Sequence, residues 1–127
     1  MDNLNFDLLK NDGKARIIQE LVPGKQITLA HIIANPDPDL YTKLGLDPAG
    51  DYSTSAIGII TMSPAETAII AGDIATKASG AALGFVDRFS GTLIVTGSVS
   101  QVSEAVKAVV DYVSSVLNFT VCPITKT

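Results

Sequence analysis

The periodicity of apolar and polar positions changes along the chain, and each change marks the boundary of a predicted helix or strand. Runs rich in β-branched residues predict strands at 25–34, 56–62, 81–87 and 92–97. Helical spacing predicts a short helix within 35–46 and long helices at 63–80 and 98–117. The tail, 118–127, is predicted to be extended. The resulting order, β-α-β-α-β-β-α-β, is typical of an α+β fold with helices packed on a mixed sheet.

Residues that favour helix ends support the first and last helices. Asp37 can cap the short helix, Pro38 suits its first turn, and Gly45 can end it. Ser98 and Gln101 have the spacing of a capping box at the start of the last helix. We expect the apolar stripe of that helix to comprise Val102, Ala105, Val106, Val109, Val113 and Val116.

The middle helix carries comparable signals. Ser63 and Glu66 predict a capping box at its start, and Gly80 predicts its end. Its smooth packing face is expected to comprise Ile70, Ala71, Ile74, Ala75 and Ala78.

The strands at 81–87 and 92–97 predict a hairpin with a charged turn. One face of the second strand should carry Thr92, Ile94 and Thr96, and the other Leu93 and Val95. Asp87 and Arg88 begin the turn. Burying an unpaired ion costs several kcal/mol, whereas a surface pair contributes about 0–1 kcal/mol. The turn is therefore expected to be either solvated or part of an interface in which both ions find partners.

Two segments carry little pattern. Residues 1–13 are polar and mixed and are interpreted as a mobile extension, and 47–55 as a loop. In "ARIIQELVPG" the apolar residues recur at helical spacing, yet the run is too short to separate a helical turn from a strand.

Composition narrows the class of protein. The 127 residues suit one domain. Hydrophobic residues make up 46% and charged residues only 17%, which favours burial against copies of the same chain. With a net charge of −4, the chain shows no sign of the basic surface that is typical of nucleic-acid-binding proteins. The amino terminus does not read as a signal peptide, and charged residues and Pro64 interrupt every apolar run that could span a bilayer.

Candidate chemistry is sparse. His31, Cys122 and Asp87 could form a Cys-His-Asp triad on paper, but no local signature surrounds them. One histidine and one cysteine supply too few ligands for a zinc site, and no glycine run has the Lys-Ser/Thr ending of a phosphate loop. Asp73 and Lys77 are spaced as an exposed i,i+4 ion pair on the middle helix.

The central part of the chain resembles a known family. The segment "AIGIITMSPAETAIIAGDIATKASGAALGFVDRFSGTLIVTGSVSQVSEAVKAVV" is similar to the bacterial microcompartment shell domain. The segment "ELVPGKQITLAHIIANPDPDLYTKLG" resembles the part that ends this domain in ordinary members, but here it comes first. The chain therefore resembles the circularly permuted subfamily of the ethanolamine-, propanediol- and choline-utilisation compartments. The resemblance covers 15–127, leaving 1–14 as a flexible extension and 47–55 outside the match.

The resemblance implies a fold and an assembly. The fold would be a permuted shell-domain α+β sheet, related to the ferredoxin-like fold, with helices packed on it. The chain would form cyclic hexamers that tile the shell of a compartment in the bacterial cytoplasm. The implied partners are copies of itself and other shell proteins, with no nucleic acid, membrane, metal or cofactor, and no enzymatic activity.

The resemblance also implies roles for particular residues. The hairpin turn would line the central pore through Asp87, Arg88, Phe89, Ser90 and Gly91. The hexamer edge would include Asp73, Lys77 and Asn35; ordinary members often carry an arginine in the segment that here reads Ala34-Asn35. A short amino-terminal strand would join a small parallel β-barrel that caps the pore, formed by Arg16, Ile17, Ile18, Gln19, Glu20, Leu21 and Val22.

Two other classes of protein stay open at this point. One is an oligomeric regulatory α+β domain that binds a small molecule between subunits. The other is an enzyme that uses His31 or Cys122. Large sheets or tubes of assembled protein would favour the shell protein, and a saturable, stoichiometric ligand would favour the regulatory domain.

Overall fold

The computed structural model describes residues 24–46 and 55–127. Within them the elements follow the predicted order, which confirms the α+β class. In chain order they are β1 (Gln26–Ile33), α1 (Pro38–Leu44), β2 (Ala56–Ser63), α2 (Thr67–Ala78), β3 (Ala82–Asp87), β4 (Thr92–Gly97), α3 (Val99–Ser115) and β5 (Thr125–Lys126). None of these helices is both long and apolar enough to cross a bilayer.

One mixed sheet organises the described residues. Its five strands lie in the order β3-β4-β2-β1-β5. The pairs β3/β4, β4/β2 and β2/β1 are antiparallel, whereas β5 runs parallel to β1. The hairpin of β3 and β4 therefore lies at one edge of the sheet and the carboxy-terminal residues at the other.

Helices α2 and α3 cover one face of the sheet, whereas α1 covers only part of the other, and strand alternation decides which face each side chain lies on. Ile60, Leu93 and Val95 are fully buried in the main core, into which α2 and α3 also pack. On the opposite face, Ile57 joins Tyr41 of α1 in a smaller core. The predicted alternation along β4 is confirmed, because Leu93 and Val95 are buried while Ile94 packs against the smaller core.

The ends of α1 and the start of α3 are as predicted. The Asp37 carboxylate accepts the Asp39 N–H at 2.9 Å, and Gly45 closes α1 with a φ of 70°. Ser98 and Gln101 form a reciprocal capping box, with distances of 3.1 and 2.9 Å between side chain and backbone. The prediction that Val116 belongs to the apolar stripe is wrong, because α3 ends at Ser115 and Val116 is 55% exposed.

The predicted start of α2 is wrong. Ser63 is the last residue of β2, where it pairs with Gln26, so it is committed to the sheet and does not cap the helix. A turn follows, in which Thr67 N–H donates to Pro64 O, and Glu66 precedes the helix without a side-chain capping bond. The helix ends at Ala78 with Ser79 as its C-cap, so Gly80, the predicted stop, directly follows the cap.

The packing face of α2 is also narrower than predicted. Ala71 and Ala75 are fully buried, but Ile70 is 47% exposed and Ala78 is exposed. The buried residues of α2 are Thr67, Ala68, Ala71, Gly72 and Ala75. Ile74 is partly buried and packs against the main core, as predicted, whereas Ile69 and Ile70 are exposed. Mainly small residues therefore bring α2 close to the sheet.

Candidate functional site

The β3–β4 turn is closed by its first residue, Asp87. One carboxylate oxygen accepts the Phe89 N–H at 2.9 Å, and the other accepts the Ser90 hydroxyl at 2.9 Å. The Asp87 carbonyl accepts the Gly91 N–H at 2.9 Å. Asp87 therefore acts within the turn, and among the described residues it forms no ion pair with Arg88.

These contacts shift the titration of Asp87. The Phe89 N–H lowers its pKa most, and the Ser90 hydroxyl and N–H lower it further, because each favours the ionised carboxylate. The pKa in the folded chain consequently lies below the ordinary value of 3.8. The turn gains its full stabilisation above that value and loses it as the pH falls through the lower, folded pKa.

We therefore expect the Phe89 amide resonance to titrate with a midpoint below 3.8 in NMR spectra. The variant Asp87→Asn is the matched control, since it keeps the side-chain shape and has no carboxylate to protonate. A midpoint at or above the ordinary value, or an equal titration in the variant, would contradict the assigned hydrogen bonds.

Gly91 fixes the turn against the end of β2. Its carbonyl accepts the Met62 N–H at 2.8 Å, and its φ is +76°, a region that favours glycine. A Cβ at this position would collide with the Met62 carbonyl oxygen and lie 3.1 Å from the Ala65 Cα. The backbone of the turn thus lies so close to the end of β2 that a residue with a side chain does not fit at position 91.

Arg88 and Phe89 project from the turn. The Phe89 ring is 80% exposed, and the Arg88 guanidinium carbon lies 4.9 Å from its centroid, within the range of a cation–π contact. A shallow depression of about 450 Å³ adjoins the turn, and its lining is Ile69, Val86, Asp87, Arg88 and Phe89. The structure therefore places Ile69 of α2 on the same depression as the turn residues, a proximity that no sequence signal indicated.

The predicted edge residues lie on two separate elements. Lys77 Nζ is 3.0 Å from the Asp73 carboxylate on α2, and both side chains are well exposed. Asn35 is exposed in the turn that joins β1 to α1. The ion pair agrees with the predicted spacing, and its exposure leaves Lys77 accessible to another molecule.

The His31-Cys122-Asp87 triad does not assemble. His31 lies on β1 and Asp87 on β3, three strands apart, which is roughly 14 Å at normal strand spacing. The His31 ring instead lies between two hydroxyls, with Nδ1 2.6 Å from Thr125 Oγ1 and Nε2 2.9 Å from Thr127 Oγ1. Cys122 is partly buried and packs against the main core. His31 therefore holds the carboxy-terminal strand to β1.

The remaining predictions are not placed. The barrel-cap residues 16–22 and most of the loop at 47–55 lie outside the described residues. Across 24–46 and 55–127, no group of three or more His, Cys, Asp or Glu side chains is close enough to hold a metal ion.

Comparisons with known proteins converge on one family. The BMC domain matches residues 56–125, more than half of the chain. The bacterial microcompartment shell protein EutS of Escherichia coli is 53% identical over 113 residues, covering 89% of this chain and 97% of the relative. The shell protein PduU of Salmonella typhimurium is 54% identical over 112 residues, covering 88% and 93%.

A solved structure is similar as well. The flat hexamer of CutR superposes with a TM-score of 0.76 at 42% identity, covering 84% of this chain and 94% of that one. The similarity in fold thus extends over the sheet and helices described above.

Proposed function

This chain belongs to the BMC-domain family of bacterial microcompartment shell proteins, and from that premise we propose how its parts work in the shell. It is a structural shell protein that assembles with copies of itself and with other shell proteins. Its place is the microcompartment, inside the bacterial cytoplasm.

The observation that carries the assembly is the apolar edge of the sheet at β3. This strand pairs only with β4 among the described strands, and Leu83 and Phe85 are each 48% exposed. An unpaired apolar edge favours association, and a neighbouring subunit would cover it. We assign β3 to the contact between subunits of a hexameric ring.

The ring is tested by light scattering after size-exclusion chromatography at micromolar concentration. We expect the mass of a hexamer for the natural chain and smaller species for Phe85→Lys, because a charge would be buried at the contact. Leu44→Lys is the control, a similarly exposed apolar residue on α1. A stable monomer of the natural chain, or a hexamer of Phe85→Lys, would contradict the proposed contact.

The turn from Asp87 to Gly91 is proposed as the rim of the central pore. Its support is its rigid backbone, the projection of Phe89 and its position in the matched BMC segment. Residues Arg16 to Val22 are proposed as the strand that caps the pore, and 15–127 as the shell domain. Asp73, Lys77 and Asn35 are proposed at the hexamer edge.

We further propose that the chain has no catalytic activity. Replacing His31 with alanine should remove two side-chain hydrogen bonds and destabilise the carboxy-terminal strand by about 1–2 kcal/mol. Hydrogen exchange should then accelerate at the Thr127 amide, which donates to Ile32 O. Cys122→Ala is the control and should leave that exchange unchanged. Turnover of an aldehyde or amine that disappears in either variant would contradict this proposal.

A further inference from the structure

The depression beside the hairpin turn is lined by exposed aliphatic side chains and by Arg88. Ile69 and Val86 are 54% and 38% exposed, and they lie next to Arg88. Among the described residues Arg88 forms no ion pair, and its guanidinium lies over the Phe89 ring. A positive group beside exposed aliphatic side chains thus adjoins open space.

The Asp87 carboxylate of the turn does not form an ion pair with Arg88. Both carboxylate oxygens of Asp87 accept hydrogen bonds from Phe89 and Ser90 within the turn. The Arg88 guanidinium carbon lies over the Phe89 ring, and none of its N–H donors forms a hydrogen bond among the described residues. These donors form a planar fork that matches the two oxygens of a carboxylate or phosphate.

We propose that this depression binds small oxyanions that carry a short aliphatic group. The anionic oxygens contact Arg88, and the aliphatic part covers Ile69 and Val86. All five lining residues belong to one subunit. Val86 lies on β3, so the site rests on the proposed function in one respect: the subunit contact must cover Leu83 and Phe85 and end before Val86. If the turns surround a pore, each subunit then presents one such site at the rim.

Ligand titrations of the full-length chain, followed by methyl NMR of Ile69 and Val86, test this site. The probes are sodium butyrate, 1-butanol and butylammonium chloride, which share an aliphatic part and differ in charge. Butyl phosphate tests whether phosphate replaces carboxylate. We expect saturable shifts with butyrate, butyl phosphate or both, and weaker binding of the alcohol and the amine. Equal responses to butyrate and 1-butanol would overturn the proposal.

Variants assign the effect to the guanidinium. Arg88→Gln should raise the dissociation constant of the bound anion about fivefold, the upper end of what an exposed charge pair contributes. Arg88→Lys should fall between, since it keeps the charge and loses the planar fork. Lys107→Gln, which removes an equal charge on α3, should bind as the natural chain does. Unchanged affinity in Arg88→Gln would refute the site.

Light scattering of the same samples separates this proposal from the assembly. Anion binding by a chain that is not hexameric would refute the ring and support the site. A hexamer without binding that depends on Arg88 would refute the site and leave the shell function in place.

Discussion

Replacing Gly91 with alanine is expected to destabilise the protein by about 3 kcal/mol, more than a left-handed backbone alone explains. The φ of +76° accounts for about 1–2 kcal/mol of this. The remainder comes from collision of the new Cβ with the Met62 carbonyl, which must separate the turn from β2. Urea denaturation at one fixed protein concentration measures the loss, since assembly makes apparent stability depend on concentration.

Gly45→Ala is the matched control for this substitution. Gly45 has a similar φ of +70°, but a Cβ there would meet nothing within 4 Å. It should therefore cost only the strain of the left-handed backbone, about 1–2 kcal/mol. Equal losses of stability in the two variants would show that the close approach of Gly91 to Met62 contributes nothing.

The variant Lys77→Glu is expected to abolish assembly beyond the ring while the ring itself persists. Lys77 is proposed at the edge, where a neighbouring ring would meet it, and reversing its charge replaces attraction by repulsion at every edge. Within the chain the change is mild, because an exposed i,i+4 pair contributes about 0.2–0.5 kcal/mol. Electron microscopy of sheets or tubes, together with light scattering of the ring, measures the two levels separately.

Lys107→Glu provides a matched comparison. Lys107 forms an equally exposed i,i+4 pair with Asp111 on α3, so the local cost to its helix is the same. We expect it to assemble as the natural chain does. If both variants lose sheets, net charge and not position controls tiling; if Lys77→Glu loses the ring, Lys77 belongs to the subunit contact.

Local patterns predicted the elements well because the chemistry that decides them is local. Asp37 and Gly45 bound α1, and Ser98 with Gln101 begins α3, because caps satisfy backbone groups within a few residues. Alternation along β4 separated buried Leu93 from the opposite face, since a strand has no other way to present its side chains.

Predictions failed where a distant partner competed with a local one. Ser63 had the spacing of a helix cap, but its backbone pairs with Gln26, thirty-seven positions earlier in the chain, so the sheet extends to it and α2 starts later. Ile70 fitted a helical stripe, yet the residues of α2 that are fully buried against the core are small, such as Ala71 and Ala75, and Ile70 lies outside them.

The candidate site divides in the same way. The sequence alone predicted that residues 87–91 form a charged turn and, through a resemblance to shell proteins, that this turn lines a pore. The hydrogen bonds of Asp87 to Phe89 and Ser90 are also local, because their partners lie two and three residues away. The tertiary structure alone decided that Gly91 abuts β2 and that Ile69 of α2 lines the same depression as Arg88. These two arrangements arise only when sheet and helix pack and bring distant residues together.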